Sequence, residues 1–305
     1  MRFGVMVGGH QSAIGVEGFI ETAKDLEARG LDTMWIPHVF GHDSITLAAL
    51  CGRETGSIEL ANAVVPTYPR HPTAIAQQAL TAAAACEGRF TLGIGLSHPP
   101  VIERMIGLSY ARRASHMREY LAVLNPLLRG EHADFSGEEY DTDMTVSVAD
   151  PETVPVIIAA LGDRMLEIAG RDTDGTITWM VGFKALEDHV VPKIAAAAQA
   201  AGRDTPRVVA GMHISLTHDA TPTRDRMGEL LTQYNLMPSY KANIEREGSM
   251  TPEDFALIGD EKALDAGLER LRDIGITDFD ANILDVEEGS RERTLEYLAS
   301  RVGMV

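Results

Sequence analysis

Eight times along this 305-residue chain, a short apolar run is followed by a longer stretch with helical spacing. The runs are RFGVMV (2–7), LDTMWI (31–36), IELANAVV (58–65), RFTLGIG (89–95), VPVIIAA (154–160), DGTITWM (174–180), RVVAGMHISLT (207–217) and TDFDANIL (277–284). Most are continuous rather than alternating, as in strands covered on both faces of a parallel sheet. Eight strand–helix units in a chain of this length predict an α/β fold, a (β/α)8 TIM barrel with insertions around a parallel eight-stranded barrel. An open doubly wound sheet would want a phosphate-binding glycine loop after its first strand, and GGHQSA (8–13) does not supply one. Helix punctuation agrees with the barrel: Gly30 as a stop, Ser44 as an N-cap and Pro72 in a first turn.

Two segments fall outside the repeat. HADFSGEEYDTDMTVSV (132–148) contains a Ser-Gly turn and some alternation, which predicts a hairpin. Residues 220–260 exceed one helix and contain Pro238, Gly248 and Pro252, which predicts a lid-like insertion of two or three helices. The simplest organisation is one domain over 1–305. A formal net charge of −18 repels phosphodiesters and acidic lipid surfaces, so nucleic-acid and membrane partners are not expected. Cys51 and Cys86 lack metal-ligand spacing and read as buried reduced thiols. The first residues read as a strand rather than a signal peptide, and no uncharged apolar run approaches the ~18 residues of a spanning helix. The expectation is a cytoplasmic protein. Arginine exceeds lysine and alanine is abundant, in keeping with a GC-rich bacterial coding sequence.

The stretch GRFTLGIGLSHPP (88–100) tests simpler readings. A dinucleotide fingerprint needs a glycine where His98 stands, and a nucleophile elbow needs one where Pro99 stands. Barrel enzymes instead build their sites from the loops after each strand. That rule selects Gly8, Gly9 and His10 after the first strand, and Pro37, His38 and His42 after the second. It adds Thr67 and Tyr68 after the third, Ser97 and His98 after the fourth, Gly162 and Asp163 after the fifth, and Trp179 at the end of the sixth. A metal-dependent hydrolase or lyase barrel is the rival of another class. His38 and His42 would share a helix face, but the His-x-His of such barrels and its later carboxylates are missing, leaving only Asp285. Acid–base work suits His38 better, because its imidazole titrates near neutrality and Pro37 fixes its backbone. His98 is a second catalytic candidate, and His71 reads as a helix cap.

AVVPTYPRHP (63–72), AQQALTAAAACEGRFTLGIGLS (76–97), GLDTMWIPH (30–38) and VPVIIAALGDRMLEIAGRDTDGTITWM (154–180) together resemble the luciferase-like flavin and deazaflavin oxidoreductases. The likeness spans most of residues 1–180, and the branch using coenzyme F420 is the nearest. It implies an F420-dependent oxidoreductase passing hydride between the deazaflavin and a small carbonyl, alcohol or activated alkene. An FMN-dependent monooxygenase of the same fold is the alternative. The resemblance implies a homodimer, a small-molecule substrate, and a cis peptide at or near Ala63–Val64 that backs the cofactor ring. Gly95, Leu96, Ser97, Gly162, Asp163 and Arg164 are then expected along the cofactor, with Gly93 and Gly95 clearing space for it. His38 is expected at the hydride-transfer centre, and His98 stands where relatives often carry a carboxylic acid. His10, Tyr68 and Trp179 are expected on the substrate side. Asp163 departs from the family's usual Gly-Pro-Arg and would oppose an anion at its helix N-terminus unless it turns away, with Arg164 compensating.

Overall fold

The computed structural model describes residues 1–9, 13–149 and 151–304. Among them, eight parallel strands form the barrel: β1 (Arg2–Met6), β2 (Thr33–Ile36), β3 (Glu59–Asn62), β4 (Phe90–Gly95), β5 (Val156–Ala159), β6 (Gly175–Trp179), β7 (Arg207–Leu216) and β8 (Asp278–Ile283). Each pairs with the next, and β8 closes on β1 from Arg2↔Asp278 to Val5↔Ala281. All eight lie where the apolar runs placed them. Packed outside are α1 (Val16–Ala28), α2 (Ser44–Arg53), α3 (Pro72–Ala85), α4 (Arg113–Leu128), α5 (Asp163–Asp172), α6 (Val191–Ala200), α7 (Ala220–Tyr234), α8 (Pro238–Glu247), α9 (Glu261–Ile274) and α10 (Ser290–Arg301).

Period-two geometry explains why the strands read as continuous apolar runs. Phe3, Val5, Met34, Leu60, Phe90, Leu92, Ile158 and Phe279 join the core under the helices. Trp35, Ala61, Ile157, Ile177 and Val209 form a second cluster from the opposite faces, inside the barrel. The N-terminal end of that interior is polar, and its charged groups are paired. Arg207 bridges Glu59 at 2.7 Å and Asp278 at 2.6 Å, and Arg2 reaches Glu59 at 2.5 Å. Thr91 also donates to Glu59, and the Arg207 guanidinium lies 5.3 Å from the Trp35 ring centroid.

His132–Ser136 and Asp141–Thr145 form an antiparallel hairpin between α4 and β5. Over 220–260 the chain makes α7, α8 and a short 3-10 turn, but Ala256–Gly259 is a strand, not the helix expected there. β6 accompanies β7 only as far as Trp179↔Gly211, and the apolar run ALIG takes over from His213 to Leu216. The barrel wall therefore opens between β6 and β7 at the C-terminal mouth, and the insertion fills the gap. Ser44 is likewise not the N-cap of α2. Asp43 takes that place, accepting from the Thr46 amide at 2.8 Å, and its charge suits the positive helix end. His71 does cap α3, Cys51 and Cys86 are buried free thiols, and no described helix is long and apolar enough to cross a membrane.

Candidate active site

The mouth is shaped first by a bulge in β3. Ala61 pairs with Thr91 and Val65 with Ile94, so four steps along β3 match three along β4. The extra residue falls at Asn62–Val64, and the Ala63–Val64 peptide is cis, where the resemblance placed it. A Cβ on Gly93 would stand 1.8 Å from the Asn62 carbonyl oxygen, and one on Gly95 would stand 2.6 Å from Val64 Cγ2. This corrects the first reading of the two glycines: the close approach they permit is that of the β3 bulge. The bulge in turn presents Ala63 and Val64 to the mouth, both partly exposed.

His38 follows β2 and is tied to the start of α2. Its Nδ1 accepts from the Ser44 amide at 3.3 Å and faces the Ser44 hydroxyl at 3.2 Å. An Nδ1 that accepts leaves the neutral ring's proton on Nε2. Burial lowers the imidazole's pKa, the nearby Arg70 charge lowers it further, and Asp43 only partly opposes them. Arg70 is itself paired with Asp43. The ring is thus held neutral with a donor at Nε2. His42 is exposed, and residues 37–43 are not helical, so the shared face imagined for His38 and His42 does not form. Among the described residues, no group of three His, Cys, Asp or Glu is arranged to hold a metal.

After β4 the chain turns through Ser97 at φ +59° and, after Pro99, enters a π-helical turn at Pro100–Met105. Left-handed backbone at a non-glycine residue and π turns both concentrate at functional sites. The Ser97 carbonyl accepts from the Tyr110 hydroxyl at 2.7 Å, Tyr110 lies 5.4 Å from Tyr68, and Tyr68 stacks on His116 at 3.9 Å. His98 turns the other way, toward the insertion: its ring is 5.5 Å from Tyr240, and Ser239 Oγ lies 3.5 Å from its Nδ1. From there an aromatic wall runs through Tyr240 and Tyr234 to Trp179, whose Nε1 donates to the Tyr234 hydroxyl at 2.8 Å. Met180, next to Trp179, is a second left-handed residue at φ +53°.

Gly162 caps α5 without a side-chain bond to the helix amides, leaving them available to an anion. Asp163 is drawn aside by Lys193 of α6 at 2.8 Å, with His189 at 3.7 Å. The hydrogen bond from Lys193 is the main reason its carboxyl lies below the usual range. The Asp163 carboxylate is thus engaged by Lys193. With the β3 bulge, the turn at Ser97 and these amides on one mouth, the residues present fit a flat ring with an anionic side chain.

The family model for luciferase-like monooxygenases matches residues 1–296. The chain belongs to that family. It is 29% identical over 240 residues to an F420-dependent glucose-6-phosphate dehydrogenase of Rhodococcus jostii (strain RHA1), covering 73% of this chain and 70% of the relative. A second such dehydrogenase, from Kineococcus radiotolerans, is 30% identical over 217 residues, covering 66% and 64%. The matches thus span about two thirds of the curated relatives. The solved F420-dependent tetrahydromethanopterin reductase of Methanopyrus kandleri superposes with a TM-score of 0.80 at 20% identity over 98% of this chain and 97% of that one. As a luciferase-like enzyme the chain is an oxidoreductase of the F420- or flavin-using kind.

Of the residues expected in this luciferase-like site, the structure gathers Ala63, Val64 and Gly95 at the bulge, and Ser97 and Tyr68 beside it. Leu96 bridges them in sequence. His98 and Trp179 stand on the insertion side, and Gly162–Arg164 at the start of α5. His38 keeps to Ser44, Asp43 and Arg70, apart from His98 in its contacts. His10 lies outside the described residues. Sequence reasoning missed Ser44 and Arg70 as supports of His38, Tyr234 and Tyr240 in the aromatic wall, and the inward-facing His213 and Asp280. Counting every second residue inward from Arg207 and Asp278 finds the last two, because the strands alternate even where both faces are buried.

Proposed function

We propose that this enzyme uses coenzyme F420 and moves hydride between it and a small carbonyl, alcohol or activated alkene, with FMN as the weaker cofactor. When bound, the deazaflavin supplies a two-electron hydride donor or acceptor. Ala63 and Val64 back its ring, and Gly95, Leu96 and Ser97, with Gly162, Asp163 and Arg164, bind its side chain through backbone and the Arg164 charge. His38 is the observation that carries the reading. Its Nε2–H, fixed by Ser44 at the other nitrogen, donates to the substrate oxygen on which negative charge develops. A neutral imidazole suits that task, because it polarises an oxygen without handing over its proton prematurely. His98, Tyr68 and Trp179 line the substrate side, and His98 replaces a carboxylic acid with a weaker donor kept neutral by burial. Glucose 6-phosphate, the substrate in the relatives' name, is the reference alcohol against which others are compared.

Titrating the purified protein with F420 and with FMN tests the cofactor. Saturable F420 binding is expected; tight FMN binding without affinity for F420 overturns the reading. His38→Ala should leave F420 binding intact while turnover falls about 10²-fold or more. Unchanged turnover removes His38 from the reaction.

A further inference from the structure

Two ionisable side chains on the inward faces of β7 and β8 are buried without a well-aligned partner. Asp280 on β8 is 0% exposed, and neither carboxyl oxygen has a hydrogen-bond partner. His213 on β7 is 5% exposed and faces its register partner Asn282, yet neither ring nitrogen makes a well-aligned hydrogen bond. Buried polar groups are almost always paired, because an unpaired one loses its water without compensation.

Both lie next to Gly211. It pairs with Asp280 on one side and with Trp179 on the other. A Cβ there would stand 3.1 Å from the Trp179 ring and 3.6 Å from Asp280 Oδ2, so indole and carboxyl approach one point. His213, two residues on along the same face, meets the indole edge-on at 5.1 Å. This is also where the barrel wall opens between β6 and β7. Burial disfavours the charged form of each group, keeping Asp280 protonated and His213 neutral. Of the basic side chains on the insertion, Arg224 pairs with Glu253, Arg226 with Glu229 and Lys241 with Glu245, while Arg246 bonds Asn243 and its charge acts on Asp163 at the start of α5. Among the described residues, neither Asp280 nor His213 has a cation in hydrogen-bond reach that would receive an anionic ligand group beside them. An uncharged oxygen would meet a donor and an acceptor, with the Trp179–Tyr234–Tyr240 wall for its apolar body.

We propose that Asp280 and His213 anchor an uncharged carbonyl or hydroxyl group of the substrate beneath Trp179. The substrate is accordingly a neutral oxygenated molecule with an apolar body, rather than a sugar phosphate. This rests on the C-terminal mouth being the site of an F420-type reaction.

Thermal-shift and tryptophan-fluorescence titrations of the whole protein with cyclohexanone, cyclohexanol and glucose 6-phosphate, with and without F420, test it. The two uncharged probes should raise the melting midpoint and perturb fluorescence, and glucose 6-phosphate should do neither. Asp280→Leu should weaken uncharged-probe binding about 10-fold, the loss of a buried hydrogen bond, while F420 affinity stays unchanged. His213→Phe gives the same reading should the leucine variant not fold. Uncharged-probe binding without F420 binding supports this anchor while overturning the cofactor reading. A stronger response to glucose 6-phosphate, no response to any probe, or unchanged probe affinity in the variants overturns the anchor.

Discussion

Asp278 and Asp280 stand two residues apart on the same inward face of β8, yet their surroundings are opposite. Asp278 receives Arg207 through two nitrogens, at 2.6 and 3.0 Å, and Thr277 at 2.7 Å. Asp280 receives nothing. One step along the barrel axis thus separates a paired ionic layer from an unpaired polar one. The paired layer faces the N-terminal end, where barrel residues serve stability, and the unpaired one leads to the mouth, where they serve chemistry. Of the two inward acids of β8, the paired one thus lies at the stability end and the unpaired one on the way to the mouth.

Arg207→Leu should break the comparison most severely. It leaves Glu59 to Arg2 and Thr91, and Asp278 to Thr277 with Arg2 at 3.6 Å, so the loss should lie at the lower end of the about 3–5 kcal/mol for one partner of a buried pair. The urea midpoint should fall accordingly, while turnover per folded molecule at low urea stays near wild type. A comparable loss of turnover at full folding would show that the two layers are not separable.

The acids of the two layers should also titrate stability in opposite directions. Burial would raise the Glu59 carboxyl, but hydrogen bonds and charge from Arg207, with Arg2 and Thr91, overcome it and hold it at about 2. Its ordinary value is 4.5. A depressed carboxylate contributes stability that is complete above the ordinary value and fades as pH falls toward the folded one. The deficit of Glu59→Gln, on the order of 2–3 kcal/mol at neutral pH, should therefore shrink between pH 4.5 and about 2. Asp280 is raised by burial first and by the Asp278 charge second. It favours the fold below its ordinary value and burdens it as pH rises, because the unfolded chain ionises first. Asp280→Asn should gain stability over wild type as pH goes from 4 to 7, raising the midpoint at pH 7 by a few degrees, roughly what 1–2 kcal/mol gives a domain of this size. Parallel pH trends for the two variants would erase the distinction.

The barrel was legible in the sequence because burial on both faces leaves a signature in every strand: RFTLGIG and VPVIIAA need no partner to read as buried strands. The place of His38 after a barrel strand was legible because it follows a buried run and a proline. What could not be read is what depends on two strands at once. The service of Gly93 and Gly95 to the β3 bulge follows from a register offset that neither strand carries alone. His213 meets Trp179, and Asp280 comes to lie on the other side of Gly211, only because three strands align there. Ser44 was read as a cap because a serine before a helix usually is one. Asp43 had the stronger claim, and that freed the serine for the imidazole.

That exchange supports the smallest expected effect. The Ser44 hydroxyl and amide both face His38 Nδ1, and Ser44→Ala removes only the first. A single hydrogen bond of about 0.5–1.5 kcal/mol implies a turnover loss of roughly 3- to 10-fold, with F420 affinity unchanged. The pKa of the ring should barely move, because burial comes first among its causes and Arg70 second. Arg70→Gln should act the other way round. Losing a nearby positive charge favours the protonated imidazole, so the acid limb of the pH–rate profile should shift to higher pH, while Ser44 still fixes the tautomer. If Ser44→Ala shifts the limb and Arg70→Gln does not, orientation and charge at His38 are not divided between these two residues, and the proton on Nε2 needs another cause.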